Sequence, residues 1–420
     1  MTFSLRRRHF LLASGLASLH LPVRAATVRV VVLGGGWGGL SAAARLRRLL
    51  PKADIVLIDR HADFVSFSGS NAWLLAPDAS QPFVREYAAL AGRYGYRFVR
   101  GSVRGIDRAR QLVLLDQGEM SYDYLILGPG IREDFAAWGV VDREMEARFR
   151  QTCWASMDDA HALPSLKQRL ARFEGGALVM NIPPLPYRCP PAPYERAVML
   201  AAWIKARRLP ARLIVIDPNP LMPLYRRPLL ETFRDQVTYL DHAHVRQLDL
   251  TRSTVSTDVD EIAFDAALLS PPQQAAQLVW DAGLIRTNPQ SGQADAWADV
   301  GALDFRSRLD ERIWVIGDAV GMVSSLFGQY PKTGHLAASM GRIAAAQVAA
   351  AISGQHYERE LPESVCHVQP DAAGASGVRI ETRYRERGDG FLMQEVIQSR
   401  TEDYSQAWAE WLARLADDFL

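Results

Sequence analysis

The sequence predicts an α/β protein with two parallel-sheet domains, in which strands alternate with helices. Three observations carry this prediction. A β-branched run at residues 27–33 ends in a glycine-rich turn, a second strand–helix–strand unit occupies residues 177–216, and an apolar run at 312–316 ends in Gly-Asp-Ala. Alternating strands and helices are typical of parallel sheets that helices cover on both faces.

The composition is that of a globular protein with more than one domain. The chain has 420 residues, 48% of them hydrophobic and 23% charged, which allows two or three domains. Its formal charge is +1, and it falls to −3 without residues 1–25, which contain four arginines and no acid. No basic excess remains, so we expect no nucleic-acid partner.

The first 25 residues have the pattern of an export signal. Arg6, Arg7 and Arg8 precede a short apolar run, and Ala25 ends a small-residue cleavage site. Paired arginines before Phe-Leu indicate the twin-arginine type, which predicts the periplasm of a bacterium. The alternative is an N-terminal helix that stays attached. The apolar run at 10–21 is shorter than the roughly 20 residues that span a bilayer.

The first strand leads into a dinucleotide-binding fingerprint. Gly34 is expected to form the turn, Gly36 to admit the pyrophosphate and Gly39 to let the helix at 40–50 pack on the strand. A second strand follows at 55–58. It ends at Asp59, which is placed to bind the ribose hydroxyls.

Two further strands identify the dinucleotide as FAD. The run at 122–127 ends in Gly-Pro-Gly and the run at 312–316 in Gly-Asp-Ala, an order typical of flavoproteins with two dinucleotide-binding domains. In that class Asp318 faces the ribityl and pyrophosphate groups, although it is also suited to cap a helix. The residues expected to bind FAD are Gly34, Gly36, Trp37, Gly38, Gly39, Asp59, Arg60, Gly128, Gly130, Gly317, Asp318, Lys332 and Thr333.

The second unit is degenerate. Its predicted strands are 177–182, 212–216, 237–240 and 266–269, with a helix at 197–205. The turn after its first strand reads Pro-Pro-Leu-Pro, and proline has no amide hydrogen to donate to a phosphate. We therefore expect no NAD(P)H site here.

The chain has three cysteines, Cys153, Cys189 and Cys366, and the sequence allows three pairings among them. Cys189 follows the proline turn at the start of a helix, where the helix dipole favours a thiolate. Glu195 lies six residues on and is a candidate base, one to two turns into that helix. Buried apolar packing is the alternative for Cys189 and the favoured interpretation of Cys153.

Several further residues bear on which cofactors the protein binds. Lys332 and Thr333 precede an alanine-rich helix at 336–352, whose N-terminus would stabilise a reduced flavin or would simply be capped. Trp154 either shields the flavin or packs in the core. His242 and His244 lack a third ligand nearby, so no metal is expected. The chain has no C-x-x-C-H motif, so any haem belongs to another subunit.

The C-terminal tail has an apolar stripe at helical spacing. Acidic residues and no lysine accompany it, which favours packing on protein over binding to an anionic membrane, although membrane association stays open. The stripe consists of Trp408, Trp411, Leu412, Leu415 and Phe419.

The motifs together resemble one family over nearly the whole chain. The twin-arginine leader, the glycine fingerprint, the proline–cysteine block at 187–196, Val-Ile-Gly-Asp-Ala at 315–319 and Pro-Lys-Thr-Gly at 331–334 are similar to the flavoprotein subunit of flavocytochrome c sulfide dehydrogenase. This subunit belongs to the wider sulfide:quinone oxidoreductase group.

The resemblance implies a reaction and the residues that perform it. A redox disulfide between Cys189 and Cys366 would accept sulfide beside the flavin, with Glu195 as the base, and electrons would pass to a c-type cytochrome subunit that carries haem c. Members with covalent flavin have a linking cysteine where this chain has Phe67-Ser68-Gly69-Ser70-Asn71. FAD is therefore expected to be non-covalent. The alternatives are a membrane-associated sulfide:quinone oxidoreductase, or a flavin electron-transfer or docking subunit for another sulfur compound.

The implied domain organisation is discontinuous. The FAD-binding domain is expected at 26–150 and 276–355, and the degenerate Rossmann-like domain, which carries the redox cysteine, at 151–275. A C-terminal α+β interface segment is expected at 356–420, after the signal peptide at 1–25.

Overall fold

A computed structural model describes residues 27–75, 84–154, 159–288, 290–324, 326–371, 377–389 and 391–417. Within these residues the protein is a mixed α/β fold built on two parallel sheets, as the sequence predicts. The predicted signal peptide at 1–25 and Phe419 of the tail lie outside the described residues.

The first parallel sheet has five strands. Their order across the sheet is Ile313–Val315, Tyr124–Leu127, Arg29–Leu33, Asp54–Asp59 and Arg97–Arg100. Val30 and Val32 of the central strand belong to the core on one face, and Val31 and Leu33 to the core on the other. Both faces are covered, which is why these strands are almost continuously apolar.

Ten α-helices occur in the described residues. They are α1 (Trp37–Leu49), α2 (Ser70–Leu75), α3 (Tyr87–Tyr94), α4 (Arg143–Thr152), α5 (Leu163–Ala171), α6 (Ala192–Arg207), α7 (Pro223–Arg227), α8 (Gln277–Asp281), α9 (Gly334–Ser353) and α10 (Tyr404–Asp417). Short 3₁₀ helices lie at Phe135–Trp138, Ala160–Ala162 and Gly317–Ala319, and a π-helix at Pro228–Thr232.

The second parallel sheet has four strands in the order Val237–Asp241, Ala211–Asp217, Gly176–Asn181 and Ala266–Leu268. All four predicted strands are present. The helix predicted at 197–205 begins earlier, at Ala192, because Pro193 lies in its first turn, where a missing amide hydrogen costs nothing. The prolines after Cys189 therefore start α6 instead of delaying it.

Antiparallel strands that the sequence did not reveal join these elements. Two of these sheets have three strands each: Val103–Asp107, Leu112–Leu115 and Gly118–Ser121 in one, and Val245–Asp249, Thr254–Thr257 and Glu261–Ala263 in the other. Four have two strands each: Asp63–Val65 with Val84–Glu86, Ile131–Glu133 with Gln273–Ala275, Ile285–Thr287 with Ala294–Ala298, and Met322–Ser324 with Gly328–Gln329.

The C-terminal segment combines a sheet with a helix, as the fold-class prediction requires. Glu363–Val368, Gly377–Glu386 and Leu392–Thr401 form an antiparallel sheet, and α10 follows. Cys366 lies in the first of these strands, opposite Ile380. The segment returns to the body of the protein and brings Cys366 to the end of the second parallel sheet.

Helix α9 is long and apolar enough to cross a membrane by length and composition, and it is the one helix of this kind in the described ranges. It packs against α1, and most of it is buried. These contacts make α9 a core helix of the first domain, with its N-terminus directed at the site described below.

Candidate active site

A cavity of about 650 Å³ lies where the ends of both parallel sheets meet the C-terminal segment. It is lined by every residue predicted for the site except Gly39. Gly34, Asp59, Gly128 and Asp318 line it from the first sheet, and Cys189 lines it from the second. The structure therefore gathers the predicted cofactor residues and the predicted sulfur chemistry in one space.

The glycine turn forms one end of the cavity. Gly36 precedes α1, and a Cβ added to it would meet nothing within 4 Å, so its backbone is open to a close ligand. A Cβ on Gly39 would lie 1.8 Å from the carbonyl oxygen of Gly34, so only glycine lets α1 pack on the strand here. Asp59 is anchored beside the turn, where its carboxylate accepts hydrogen bonds from the backbone N–H groups of Gly35 at 2.7 Å and His61 at 2.9 Å.

Arg60 lies at the rim of this end. Its guanidinium is largely exposed and lies 3.3 Å from a carboxylate oxygen of Asp159. His61, Asp159 and His161 place their ligand atoms within 4.8 Å of one another, a spacing that sequence reasoning did not find. The two imidazole rings stack in parallel at 3.7 Å, so their in-plane lone pairs do not converge on one ion. We assign no metal to this cluster.

The His242 and His244 pair is on the surface. Both side chains are exposed, and His244 Nδ1 lies 3.1 Å from a carboxylate oxygen of Asp258. His244 therefore has a neighbouring acid as its hydrogen-bond partner.

Asp318 lines the cavity and also has a partner within the protein. It lies inside the short helix Gly317–Ala319 and does not cap it. Its carboxylate accepts a 2.7 Å hydrogen bond from Nε of Arg188, and the two side chains are only 12% and 16% exposed. Because Arg188 precedes Cys189, this buried ion pair links the cysteine loop to the end of the first sheet.

Lys332 and Thr333 begin α9. Lys332 is 2% exposed, donates from Nζ to the carbonyl oxygen of Val320 at 2.9 Å, and lies 3.5 Å from the centre of the Trp297 ring. Burial lowers the pKa of Lys332 to about 7, and the charge of Asp318 opposes that shift. Thr333 caps α9 by accepting a hydrogen bond from the N–H of Leu336, so the capping interpretation holds for it.

Cys189 adopts a left-handed backbone conformation with φ of +50°. Residues other than glycine seldom adopt it, and such strain concentrates at functional sites. Two backbone hydrogen bonds of 2.8 Å hold it, one from Cys189 N–H to the carbonyl oxygen of Lys332 and one from Ala192 N–H to the carbonyl oxygen of Cys189. The cysteine is therefore fixed between α6 and the start of α9.

The three cysteines are free thiols in this structure, so the pairing of Cys189 with Cys366 stays a prediction as a disulfide. Their side chains are nonetheless close enough to interact. The interaction with Cys189, together with burial and the charge of Glu195, raises the pKa of Cys366 well above its ordinary value.

Cys153 lies in the hydrophobic core at the end of α4, 2% exposed, as its favoured interpretation predicted. Burial raises its pKa to about 12. Trp154 also packs in the core, edge to face with Phe173, and does not line the cavity.

Glu195 lies in the first turn of α6, nearer to Cys189 than one to two turns along. Its carboxylate accepts hydrogen bonds from Nδ2 of Asn71 at 2.8 Å and from the backbone N–H of Gln369 at 2.9 Å. Burial raises the pKa of Glu195, and these two hydrogen bonds oppose that effect. A carboxyl group that holds a proton above its usual pH range suits proton transfer.

Helix α10 covers the cavity from the C-terminal side. Trp408 packs over Gly69, and Trp411 packs against the rings of His335 and His367. Leu412 and Leu415 are buried. The described part of the predicted apolar stripe therefore packs on the protein body.

Comparisons with known proteins agree with this geometry. Residues 28–173 match the family model of pyridine nucleotide-disulphide oxidoreductases, and residues 164–270 match that of the central part of the sulfide dehydrogenase [flavocytochrome c] flavoprotein chain. The sulfide dehydrogenase flavoprotein chain of Chlorobaculum thiosulfatiphilum is 48% identical over 46 residues, which cover 96% of that sequence and 11% of this chain. The chain belongs to the flavocytochrome c sulfide dehydrogenase flavoprotein family.

The chain is also similar to proteins outside that family. Sulfide-quinone reductase of Aquifex aeolicus is 30% identical over 201 residues, which span 45% of this chain and only 43% of the relative. The solved structure of the sulfide:quinone oxidoreductase from Aquifex aeolicus superposes with a TM-score of 0.71 at 18% identity, covering 93% of this chain and 92% of that one. Reduced CoADR-RHD of Bacillus anthracis superposes at 0.65 and 16% identity, covering 94% of this chain and 74% of that one. At these identities the superpositions establish the fold.

The sulfide dehydrogenase flavoprotein family implies a bound flavin, and the cavity fits FAD. The open backbone at Gly36, the N-terminus of α1 and the anchored Asp59 match the needs of a pyrophosphate and a ribose. The N-terminus of α9 and Lys332 line the cavity on the side of Cys189.

Sequence reasoning missed three side chains of this family member's site: Asn71, Arg188 and Arg196. Asn71 was considered only for the absence of a linking cysteine, yet it hydrogen-bonds to Glu195 and to Arg196. Both arginines lie in the proline–cysteine block, and a basic residue next to a cysteine was the available signal. Gln369 acts through its backbone N–H, for which the sequence carries no signal.

Proposed function

We propose that this protein oxidises sulfide with bound FAD through Cys189 and Cys366, and that it passes the electrons to a c-type cytochrome. The observation that carries the proposal is the contact between these two thiols beside Glu195, in the cavity that also contains the glycine turn. A dithiol, a base and a flavin site in one cavity suit a two-electron oxidation of sulfur.

The residues at the glycine turn would hold FAD, and α9 would approach it from the other side. When bound, FAD supplies the ability to accept two electrons and to release them singly. The N-terminus of α9 brings partial positive charge to the cavity, which favours negative charge on a ligand there.

The sulfur step follows from the different environments of the two cysteines. Hydrosulfide attacks the Cys366 sulfur of the oxidised pair, the S–S bond breaks, and Cys189 leaves as a thiolate with the bonding electrons. The products are a persulfide on Cys366 and a thiolate on Cys189. This direction is supported by the raised pKa of Cys366, which disfavours a thiolate there, and by the position of Cys189 before the N-terminus of α6.

Glu195 handles the proton. Its carboxylate takes a proton from hydrogen sulfide and so generates the attacking hydrosulfide. Burial raises the pKa of Glu195, which makes it a stronger base than an exposed glutamate.

The proposal also specifies the electron acceptor, a c-type cytochrome, and the location, the periplasm. The name of the matching family, flavocytochrome c, supports a cytochrome subunit as the acceptor. The twin-arginine pattern of residues 1–25 supports export to the periplasm, where such a subunit could receive its haem.

Flavin bleaching tests the reaction. Anaerobic addition of sulfide to the purified FAD-containing protein should remove the visible flavin absorbance, and Cys189→Ser and Cys366→Ser should abolish this response. Cys153→Ala is the matched control, because its buried thiol does not line the cavity, and it should bleach like the wild type. Bleaching that survives in Cys189→Ser, or none in the wild type, would contradict the proposal.

A quinone acceptor is the second candidate. It is supported by the similarity to the Aquifex aeolicus sulfide-quinone reductase and by the aromatic residues Trp408 and Trp411 that line the cavity. Sulfide-reduced protein should pass electrons to cytochrome c faster than to a water-soluble quinone. The reverse order, together with binding to liposomes that is lost in Trp408→Ala, would favour the quinone.

A further inference from the structure

Arg196 is a buried cation beside the cysteine pair. Its side chain lies in the first turns of α6, is 5% exposed and lines the cavity with Cys189. An arginine is seldom buried without a partner, because removing its charge from water is costly. Burial lowers the pKa of Arg196 to about 10, and the charges of Glu195 and Cys189 oppose that shift.

Asn71 fixes the position of this cation. Its Oδ1 accepts a 2.9 Å hydrogen bond from Nε of Arg196. Its Nδ2 donates to Glu195 at 2.8 Å and to the carbonyl oxygen of Ala192 at 3.0 Å. Asn71 is itself 4% exposed, on α2 of the first domain. One amide therefore hydrogen-bonds to both the base and the cation and fixes the position of each.

We propose that Arg196, held by Asn71, is the cation that stabilises the thiolate of Cys189. In the sulfide reaction, which rests on the proposed function, the bonding electrons of the broken S–S bond go to the Cys189 sulfur. Arg196 balances that charge, with no bond formed to it and no proton transferred. Arg196 is thus a charge-stabilising residue, and Asn71 is a positioning residue.

Other groups face the Cys189 sulfur and set the background for this effect. Those that interact with the charge of Cys189 are Tyr187, Arg196, Tyr225, Cys366 and Tyr404. Burial raises the pKa of all three tyrosines, which keeps them neutral. Arg188, next in sequence, is already paired with Asp318. Among these groups, Arg196 is the cation, and the nearby acid is Glu195, whose charge acts on Arg196 and Cys366.

The pH dependence of cysteine alkylation tests the proposal directly. The FAD-containing protein is reduced with a phosphine under argon and treated briefly with iodoacetamide across a pH series, and mass spectrometry then quantifies the modified Cys189 peptide. Alkylation follows the thiolate fraction. Arg196→Gln should move the midpoint for Cys189 up by about one to two pH units, as expected for loss of an adjacent opposite charge.

Three further variants test the direction of the midpoint shift, and a fourth serves as a control. Asn71→Ala should shift the midpoint in the same direction by a smaller amount, and Arg196→Lys should restore part of the shift. Glu195→Gln removes the opposing charge and should lower the midpoint. Arg207→Gln, in the last turn of the same helix and stacked on Trp203, should leave it unchanged. Cys153 should stay unmodified throughout and serves as an internal check of folding.

The outcome that overturns the proposal is an unchanged Cys189 midpoint in Arg196→Gln. A wild-type Cys189 that fails to react at any pH overturns it as well, because the proposal requires an accessible thiolate. Neither measurement uses sulfide. A protein that lacks sulfide bleaching yet shows the predicted midpoint shifts would retain this inference and lose the proposed function.

Discussion

The buried ion pair between Arg188 and Asp318 predicts a large coupling energy across the site. Their 2.7 Å hydrogen bond is largely shielded from water, with side chains 16% and 12% exposed. Two unit charges about 4 Å apart attract by roughly 4 kcal/mol at an effective dielectric constant near 20, against roughly 1 kcal/mol in water. Desolvation offsets part of this attraction, so we expect a coupling of about 2 to 3 kcal/mol.

A double-mutant cycle measures this coupling. Arg188→Met, Asp318→Asn and the double variant are unfolded in urea at a fixed FAD concentration, and the free energies of unfolding are compared. Asp318→Asn should destabilise the protein more in the presence of Arg188 than in the Arg188→Met background, because only then does it remove the carboxylate that faces the guanidinium. The stacking of Arg188 on Phe67 cancels in the cycle.

The chain offers a matched control at the same distance. Arg252 and Glu261 also approach to 2.7 Å, but their side chains are 62% and 44% exposed. Their coupling should be below about 1 kcal/mol. If the Arg188–Asp318 cycle gives no more than the Arg252–Glu261 cycle, then burial does not strengthen the pair and the reasoning fails.

Three further predictions follow from single groups. Burial lowers the pKa of Lys332 from 10.5 to about 7, so between these values the unfolded chain binds a proton that the folded chain does not, and stability rises with pH. Lys332→Met should remove this rise in the free energy of unfolding, which is at most about 1.4 kcal/mol per pH unit. Urea unfolding at several alkaline pH values measures it, and the same pH dependence in Lys332→Met as in the wild type would contradict the prediction. Because burial raises the pKa of Glu195, the rate of sulfide-driven bleaching should fall as the pH falls through that raised value. Glu195→Gln should lower this rate by on the order of 100-fold and should remove its decrease at acid pH. If the decrease at acid pH persists in Glu195→Gln, then Glu195 is not the base. Acid precipitation should release all FAD into the supernatant, since the described residues around Asn71 contain no cysteine, whereas flavin retained in the pellet would indicate a covalent link.

The FAD half of the site could be predicted because its signals are local. Gly34, Gly36, Gly39 and Asp59 lie within one strand–turn–helix–strand unit, where chain geometry alone fixes their positions. Eight of the nine strands of the two parallel sheets were also predicted within a residue or two, because their apolar runs are buried on both faces. The edge strand Arg97–Arg100 was not predicted, and none of its residues is fully buried. The start of α6 was predicted at residue 197, whereas the helix begins at Ala192, because Pro193 is compatible with its first turn.

The short antiparallel strands and the polar network were beyond prediction for a different reason. Strands of three to five residues with mixed exposure, such as Glu261–Ala263, carry little periodicity. Asn71, Glu195 and Arg196 meet because α2 and α6 pack together across 121 or more residues of sequence. A hydrogen bond between distant segments leaves no trace in the spacing of either one.

The sequence by itself determined the two-sheet α/β class, the FAD fingerprint and the mounting of Cys189 behind prolines, because each depends on a few neighbouring residues. Only the tertiary structure decided that Cys366 lies beside Cys189, that Asp318 pairs with Arg188, and that Asn71 hydrogen-bonds to both Glu195 and Arg196. These contacts depend on how three separate segments pack around one cavity, and burial there affects which groups carry charge. The sequence thus indicated the candidate reacting groups, and the packing determined their surroundings.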